Sequence, residues 1–191
     1  MTLHVSNWGE SANGPRPTPD PRVSAAVPAM GVTVQMPMAC QPEAIWDLIT
    51  SVERIGEFSP ECAEAWWVEG SPAHAVGGRF EGRNRMEDGS ETYEWTRPCD
   101  VVAYEPPRCF AYTVGDRFDG TPATRWTFRI TPTDAGCVVE QQFEHLPEGL
   151  SGIRLQAEQL DDAEAHIAQR RDMLCDGMRQ TLECIREVVE A

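Results

Sequence analysis

Between Ala63 and His145 apolar and polar residues alternate in six successive short runs, and beyond His145 the apolar spacing changes to steps of three, four and seven. A period of two belongs to a strand with one buried face, and a period near 3.6 to a helix with one buried stripe. The runs are Ala63–Glu69, Gly78–Met86, Glu91–Tyr104, Arg108–Val114, Ala123–Thr131 and Cys137–His145. They are separated by Ser71-Pro72, Gly77-Gly78, Asp88-Gly89, Pro106-Pro107, Asp119-Gly120 and Asp134-Ala135-Gly136, all of turn chemistry. Links this short join antiparallel neighbours. The later stripe, Leu160, Ile167, Leu174, Met178, Leu182, Ile185 and Val189, predicts one long helix that starts within Ser151–Glu164 and runs almost to Ala191. Gly177 interrupts that helix, either for a close approach or without purpose.

Upstream, Val32, Val34 and Met36 alternate with Thr33 and Gln35, which predicts a first strand. Pro42 sits where a helix tolerates it best, at the first turn, with Glu43 beside the positive end of the dipole. Ile45, Trp46, Leu48 and Ile49 give that helix its apolar face, a second helical turn covers Val52 to Phe58, and Pro60 ends it. Residues 1–29, punctuated by Pro15, Pro17, Pro19, Pro21 and Pro28, read as a disordered or loosely docked tail, and 30–191 as one domain. The expected fold is α+β: a curved antiparallel sheet of about seven strands wrapped around a long C-terminal helix, with two short helices after the first strand. One helix covers only part of such a sheet, so an apolar hollow is expected between them.

Charge narrows the partners. The chain carries 16 basic and 31 acidic residues, a net charge of −15, and none of the basic residues is lysine. An acidic surface repels phosphate backbones and anionic lipid, so nucleic acid is not an expected partner. No run approaches the roughly 18 apolar residues of a membrane span, and the N-terminus lacks the pattern of a secretion signal, so a cytoplasmic location is expected. The seven cysteines form no C-x-x-C pair and the four histidines have no zinc-ligand spacing, which leaves reduced thiols and neither metal nor cofactor as the expectation. No G-x-S-x-G elbow, phosphate-binding glycine loop or dinucleotide fingerprint is present.

A set of segments then carries a resemblance. Val34 to Met38 lead into Pro42-Glu43-Ala44-Ile45-Trp46-Asp47-Leu48, followed by Gly77-Gly78-Arg79-Phe80-Glu81-Gly82-Arg83-Asn84-Arg85, Trp95, the run Val101 to Tyr112 through Pro106-Pro107, and Thr124-Arg125-Trp126. In this order and spacing, over roughly residues 32–190, the chain resembles the START-like SRPBCC superfamily, and within it the polyketide cyclase/dehydrase branch. The resemblance implies a helix-grip fold and a cavity that binds or transforms a hydrophobic molecule. It does not imply catalysis, because carriers, receptors and cyclases share this fold.

Alternation selects the residues that face such a cavity. On the last strand these are Val139, Gln141, Phe143 and His145; elsewhere they are Phe80 and Asn84, Phe110 and Tyr112, and Trp126 and Phe128. Leu174 and Met178 face them from the helix, and Trp95 is a further wall candidate. Pro98 is expected to bulge its strand, and if the bulge falls suitably Glu94 points inward as a raised-pKa acid. His145 is a candidate general acid or base and Tyr112 a candidate donor to a ligand carbonyl, while Asn84 and Gln141 are candidate anchors. Neutral inward groups favour binding of a small hydrophobic molecule. The alternatives are a cyclase/dehydrase acting by acid–base chemistry on an aromatic or polyketide-like precursor, and an interaction module with a filled cavity, whose protein partner is unknown.

Overall fold

The structure, a computed structural model, describes residues 30–88 and 91–190. The proline-rich stretch 1–29 and Gly89 of the expected Asp88-Gly89 turn lie outside the described residues. In chain order the elements are β1 (Gly31–Met38), α1 (Pro42–Thr50), a 3-10 helix (Val52–Glu57), β2 (Cys62–Trp67), β3 (Arg79–Asp88), β4 (Glu91–Glu105), β5 (Cys109–Gly115), β6 (Pro122–Thr133), β7 (Gly136–His145), α2 (Gly152–Ala157) and α3 (Ala163–Glu190). The strands form one seven-stranded sheet in the order β1-β7-β6-β5-β4-β3-β2, with every neighbouring pair antiparallel. This is the helix-grip arrangement.

Register explains which side chains are inside. On β7 burial alternates strictly, with Cys137, Val139, Gln141, Phe143 and His145 buried. Cross-strand pairing aligns these with their counterparts into ranks across the sheet: Phe143 opposes Trp126, which opposes Tyr112, and Gln141 opposes Phe128, which opposes Phe110. The other face is wet and laced by ion pairs, among them Arg79–Asp100 at 2.7 Å, Arg83–Glu64 at 2.6 Å and Arg125–Glu144. Such exposed pairs set register more than stability.

Two expectations need correction. The bulge expected at Pro98 is not there: β4 runs unbroken against β3 through the Glu81–Pro98 pair. Pro98 lies just beyond the last β4–β5 pair, Cys99 with Val114, so its missing N–H costs that ladder nothing. The irregularity falls instead between Val101 and Ala103, which leaves Val102 exposed. The long C-terminal helix begins at Ala163, inside the expected window, with the short helix α2 ahead of it. Ser151 caps α2 by accepting the Arg154 N–H at 3.2 Å, and Asp162 caps α3 by accepting the Ala165 N–H at 2.9 Å. Leu160, between them, is off the stripe and 44% exposed.

Helix α3 lies along β1 and β7, and α1 packs against β6. The 3-10 helix packs on β2. Between them these helices leave part of the sheet's inner surface, from β3 to β7, unfilled. Leu182 and Ile185 of α3 are fully buried against the covered side. Leu182→Ala is expected to destabilise the fold by about 3 kcal/mol, through lost burial and an unfilled void. Urea unfolding should show this as a lower midpoint at an unchanged slope.

Candidate functional site

The uncovered part of the inner face encloses a cavity of about 200 Å³. Phe80, Trp126, Phe128 and Phe143 form its sheet wall, with Trp95 and Val114 beside them. Leu174 and Met178 face them from α3, and Ile55 and Phe58 close the side nearest the 3-10 helix. Gly82 deepens the floor. A Cβ there would meet only Cys62 Sγ at 3.3 Å and Cys99 Sγ at 4.0 Å, so any larger residue would extend into the hollow. Gly177 also lines the cavity, and a Cβ on it would meet only Pro60 Cγ at 3.6 Å, an ordinary contact. No steric demand from a neighbour requires glycine at that position.

Four neutral polar candidates stand in this wall in different states. Gln141 is buried and its Oε1 has no hydrogen-bond partner among the described residues. Asn84 lines the cavity and makes a long 3.4 Å contact from Nδ2 to Gly82 O. The Tyr112 phenol is pushed well above its usual pKa, by burial first and by Cys99 and Cys62 second, so it stays protonated. Ser151, which the sequence reading did not single out, lines the cavity as well.

His145 stands one layer behind. It is buried, its ring packs edge-on to Phe143 at 5.3 Å, and its Nε2 lies 3.0 Å from Ser151 Oγ. Ser151 Oγ already accepts the Arg154 N–H, so its own proton is suited to bond Nε2 of a neutral imidazole. Burial, and then the Arg154 charge, push the His145 pKa down to about 4. The histidine reaches the cavity only through Ser151.

Two candidates fall outside. Phe110 is 1% exposed but belongs to the core, edge-on to Tyr104 at 6.1 Å, and Tyr104 in turn meets Trp46 of α1 at 4.9 Å. Helix α1 has filled that quarter of the inner face. Glu94 is exposed on the outer face: Trp95 pairs with Asn84 and points inward, so its neighbour pairs with Arg85 and points away. The absence of a bulge at Pro98 removes the condition under which Glu94 would turn in.

The charged lining went unread in the sequence. Arg97, Asp116 and Arg117 border one part of the cavity, and Glu61 and Arg170 another. Arg170 is 8% exposed and donates from Nη2 to both Glu61 oxygens, at 3.1 and 3.2 Å. A signal existed: Arg170 precedes Leu174 and Met178 by four and eight residues, on the stripe itself. Arg97 likewise shares its face with Trp95.

The His145 arrangement has a sign-definite pH consequence. The group is neutral in the fold down to about pH 4 but protonates near 6.5 when unfolded, so the unfolded chain binds more protons in between. Its contribution is complete above pH 6.5 and is lost as pH falls toward 4. Between pH 7 and pH 5 the wild type should lose roughly 2 kcal/mol more stability than His145→Gln, by urea unfolding at each pH.

The comparisons agree with this geometry. Residues 30–189 match the family described as polyketide cyclase / dehydrase and lipid transport. The sequence matches no curated protein. Among solved structures, a polyketide cyclase-like protein from Corynebacterium glutamicum, Cgl2372, is 27% identical with a TM-score of 0.60, over 85% of this chain and 93% of that one. Protein MLL2253 from Mesorhizobium loti is 19% identical with a TM-score of 0.56, over 84% and 97% respectively. The di-domain ARO/CYC StfQ of the steffimycin biosynthetic pathway shares the fold at 16% identity and a TM-score of 0.63; this chain is covered over 85% and StfQ over 51%. No helix among the described residues is long and apolar enough to cross a membrane. A family match across residues 30–189, on a helix-grip sheet with a hollow inner face, makes this chain a member of the polyketide cyclase/dehydrase and lipid transport family.

Proposed function

We propose that the protein binds one small, largely apolar organic molecule in the cavity between the sheet and α3, with Gln141 as the hydrogen-bonding anchor. The observation that carries this reading is the Gln141 oxygen, buried without a partner beside Phe128 and Phe143. An amide acceptor left unpaired in an apolar wall costs roughly 1–3 kcal/mol, and a ligand hydroxyl or N–H offsets that cost. Asn84 and the protonated Tyr112 supply further neutral polar groups around the same space. A cavity of about 200 Å³ suits a compact ligand of one or two rings, since roughly 150 Å³ accepts benzene.

Acid–base chemistry on an aromatic or polyketide-like precursor is the second reading. It is favoured by one contact, the hydrogen bond between His145 and the cavity residue Ser151. Against it, Glu94 lies outside the cavity and the depressed His145 pKa makes a weak base.

Native mass spectrometry of gently purified protein should reveal a retained small molecule at one per chain, unchanged after extraction. Titration with 2-naphthol should be saturable and quench the fluorescence of Trp95 and Trp126. An empty protein with no saturable 2-naphthol binding would overturn the proposal. In Gln141→Leu the affinity for 2-naphthol should fall about tenfold while stability rises by about 1 kcal/mol, because the unpaired acceptor is gone.

A further inference from the structure

Glycine inside a strand or helix weakens it, because the residue loses more conformational freedom on folding than alanine and packs no side chain. At several turns and loops the fold itself calls for one: Gly136 has a φ of +140°, and a Cβ on Gly149 would lie 2.4 Å from Pro122 O. Gly82 and Gly177 meet neither condition. Gly82 lies within β3, paired with Ala65 on one side and Arg97 on the other, and the nearest atom to a Cβ there is the end of a side chain, Cys62 Sγ at 3.3 Å. Gly177 lies in the middle of α3, where a Cβ would make only the ordinary 3.6 Å contact with Pro60 Cγ. The helix continues through it unbroken, with Thr181 Oγ1 donating to Gly177 O at 2.9 Å.

What the two share is the hollow: Gly82 lines it from the sheet and Gly177 from the helix. The residues that a Cβ on either would meet, Cys62, Cys99 and Pro60, line the same space. In each case the missing side chain is room added to a cavity of about 200 Å³. Roughly 150 Å³ already accepts a benzene ring, and a guest that leaves a gap around it forfeits contacts with the wall. We infer that Gly82 and Gly177 are the specificity-determining residues of this cavity, opening its sheet wall and its helix wall for a molecule of two fused rings. The inference rests on the cavity being a binding site and adds the size of its occupant. Apolar binding grows with the area buried, so the second ring contributes by filling the room that these glycines leave.

Two probes that each carry one hydroxyl and differ by one ring separate size from polarity. Calorimetric titration should show 2-naphthol binding the wild type about thirtyfold more tightly than phenol. In Gly177→Ala the affinity for 2-naphthol should fall about tenfold while that for phenol stays within about twofold. The urea midpoint of this variant should rise by about 0.5 M, because the helix gains the propensity of alanine and loses no contact. Gly82→Ala should show the same loss of 2-naphthol and the same retention of phenol, which also reports that it is folded. Phenol binding as tightly as 2-naphthol to the wild type would overturn the inference and leave the apolar cavity standing. So would an unchanged 2-naphthol affinity in either variant, or a lower urea midpoint in Gly177→Ala, which would mean that the fold itself needs that glycine. Binding of neither probe would overturn the cavity reading together with this one.

Discussion

A sheet of seven antiparallel strands has to bury one whole face, and this chain supplies one long helix to do it. The mismatch in width organises everything else. Helix α3 lies toward β1 and β7, where Leu182 and Ile185 pack without exposure, and α1 and the 3-10 helix take β6 and β2. Part of the inner face from β3 to β7 is left unfilled, yet its side chains are still those of a core: Phe80, Tyr112 and Phe128. Burial of apolar surface is the dominant gain in folding, so a face that stays apolar without being filled holds a reserve of that gain for a guest. Glycine at position 82 enlarges the space, because a side chain there would occupy it.

The same geometry decides where polarity is tolerated. Convex positions pair arginine with aspartate or glutamate across strands, in water, where little depends on any one pair. On the concave side each polar group has a distinct fate. Ser151 and His145 bond each other, Arg170 and Glu61 cancel, and Asp116 accepts from backbone N–H groups. Gln141 keeps an unused acceptor. Burial thus separates groups that hold the fold together from those suited to meet a ligand.

The architecture was legible because strand and helix periods differ so sharply. The β7 alternation from Cys137 to His145 and the positions of Pro42, Gly120 and Gly136 placed strands, turns and the first helix within a residue or two of where they lie. Most of the wall followed from the same alternation, including Asn84, Trp126 and Gln141. What failed was whatever depends on a third dimension. Phe110 has the same inward parity as Tyr112, and only the packing of α1 on Tyr104 and Trp46 removes it from the cavity. Arg97 was visible beside Trp95, but a misplaced bulge at Pro98 left its direction undecided. Ser151 acts as a cap and a wall residue at once, and a capping pattern alone announces only the first role.

The two cysteines that border Gly82 give the hollow a chemical temperament. Burial, and then the Glu61 charge, push the Cys62 thiol up to about 12, and burial first, then Cys62, holds Cys99 well above its usual value too. A thiolate is the attacking form, and at neutral pH a thiol with a pKa near 12 presents on the order of one part in 100,000 of it. Both sulfurs are therefore poor nucleophiles toward soft electrophiles such as enones and quinones. They serve the wall as polarisable, unreactive surface.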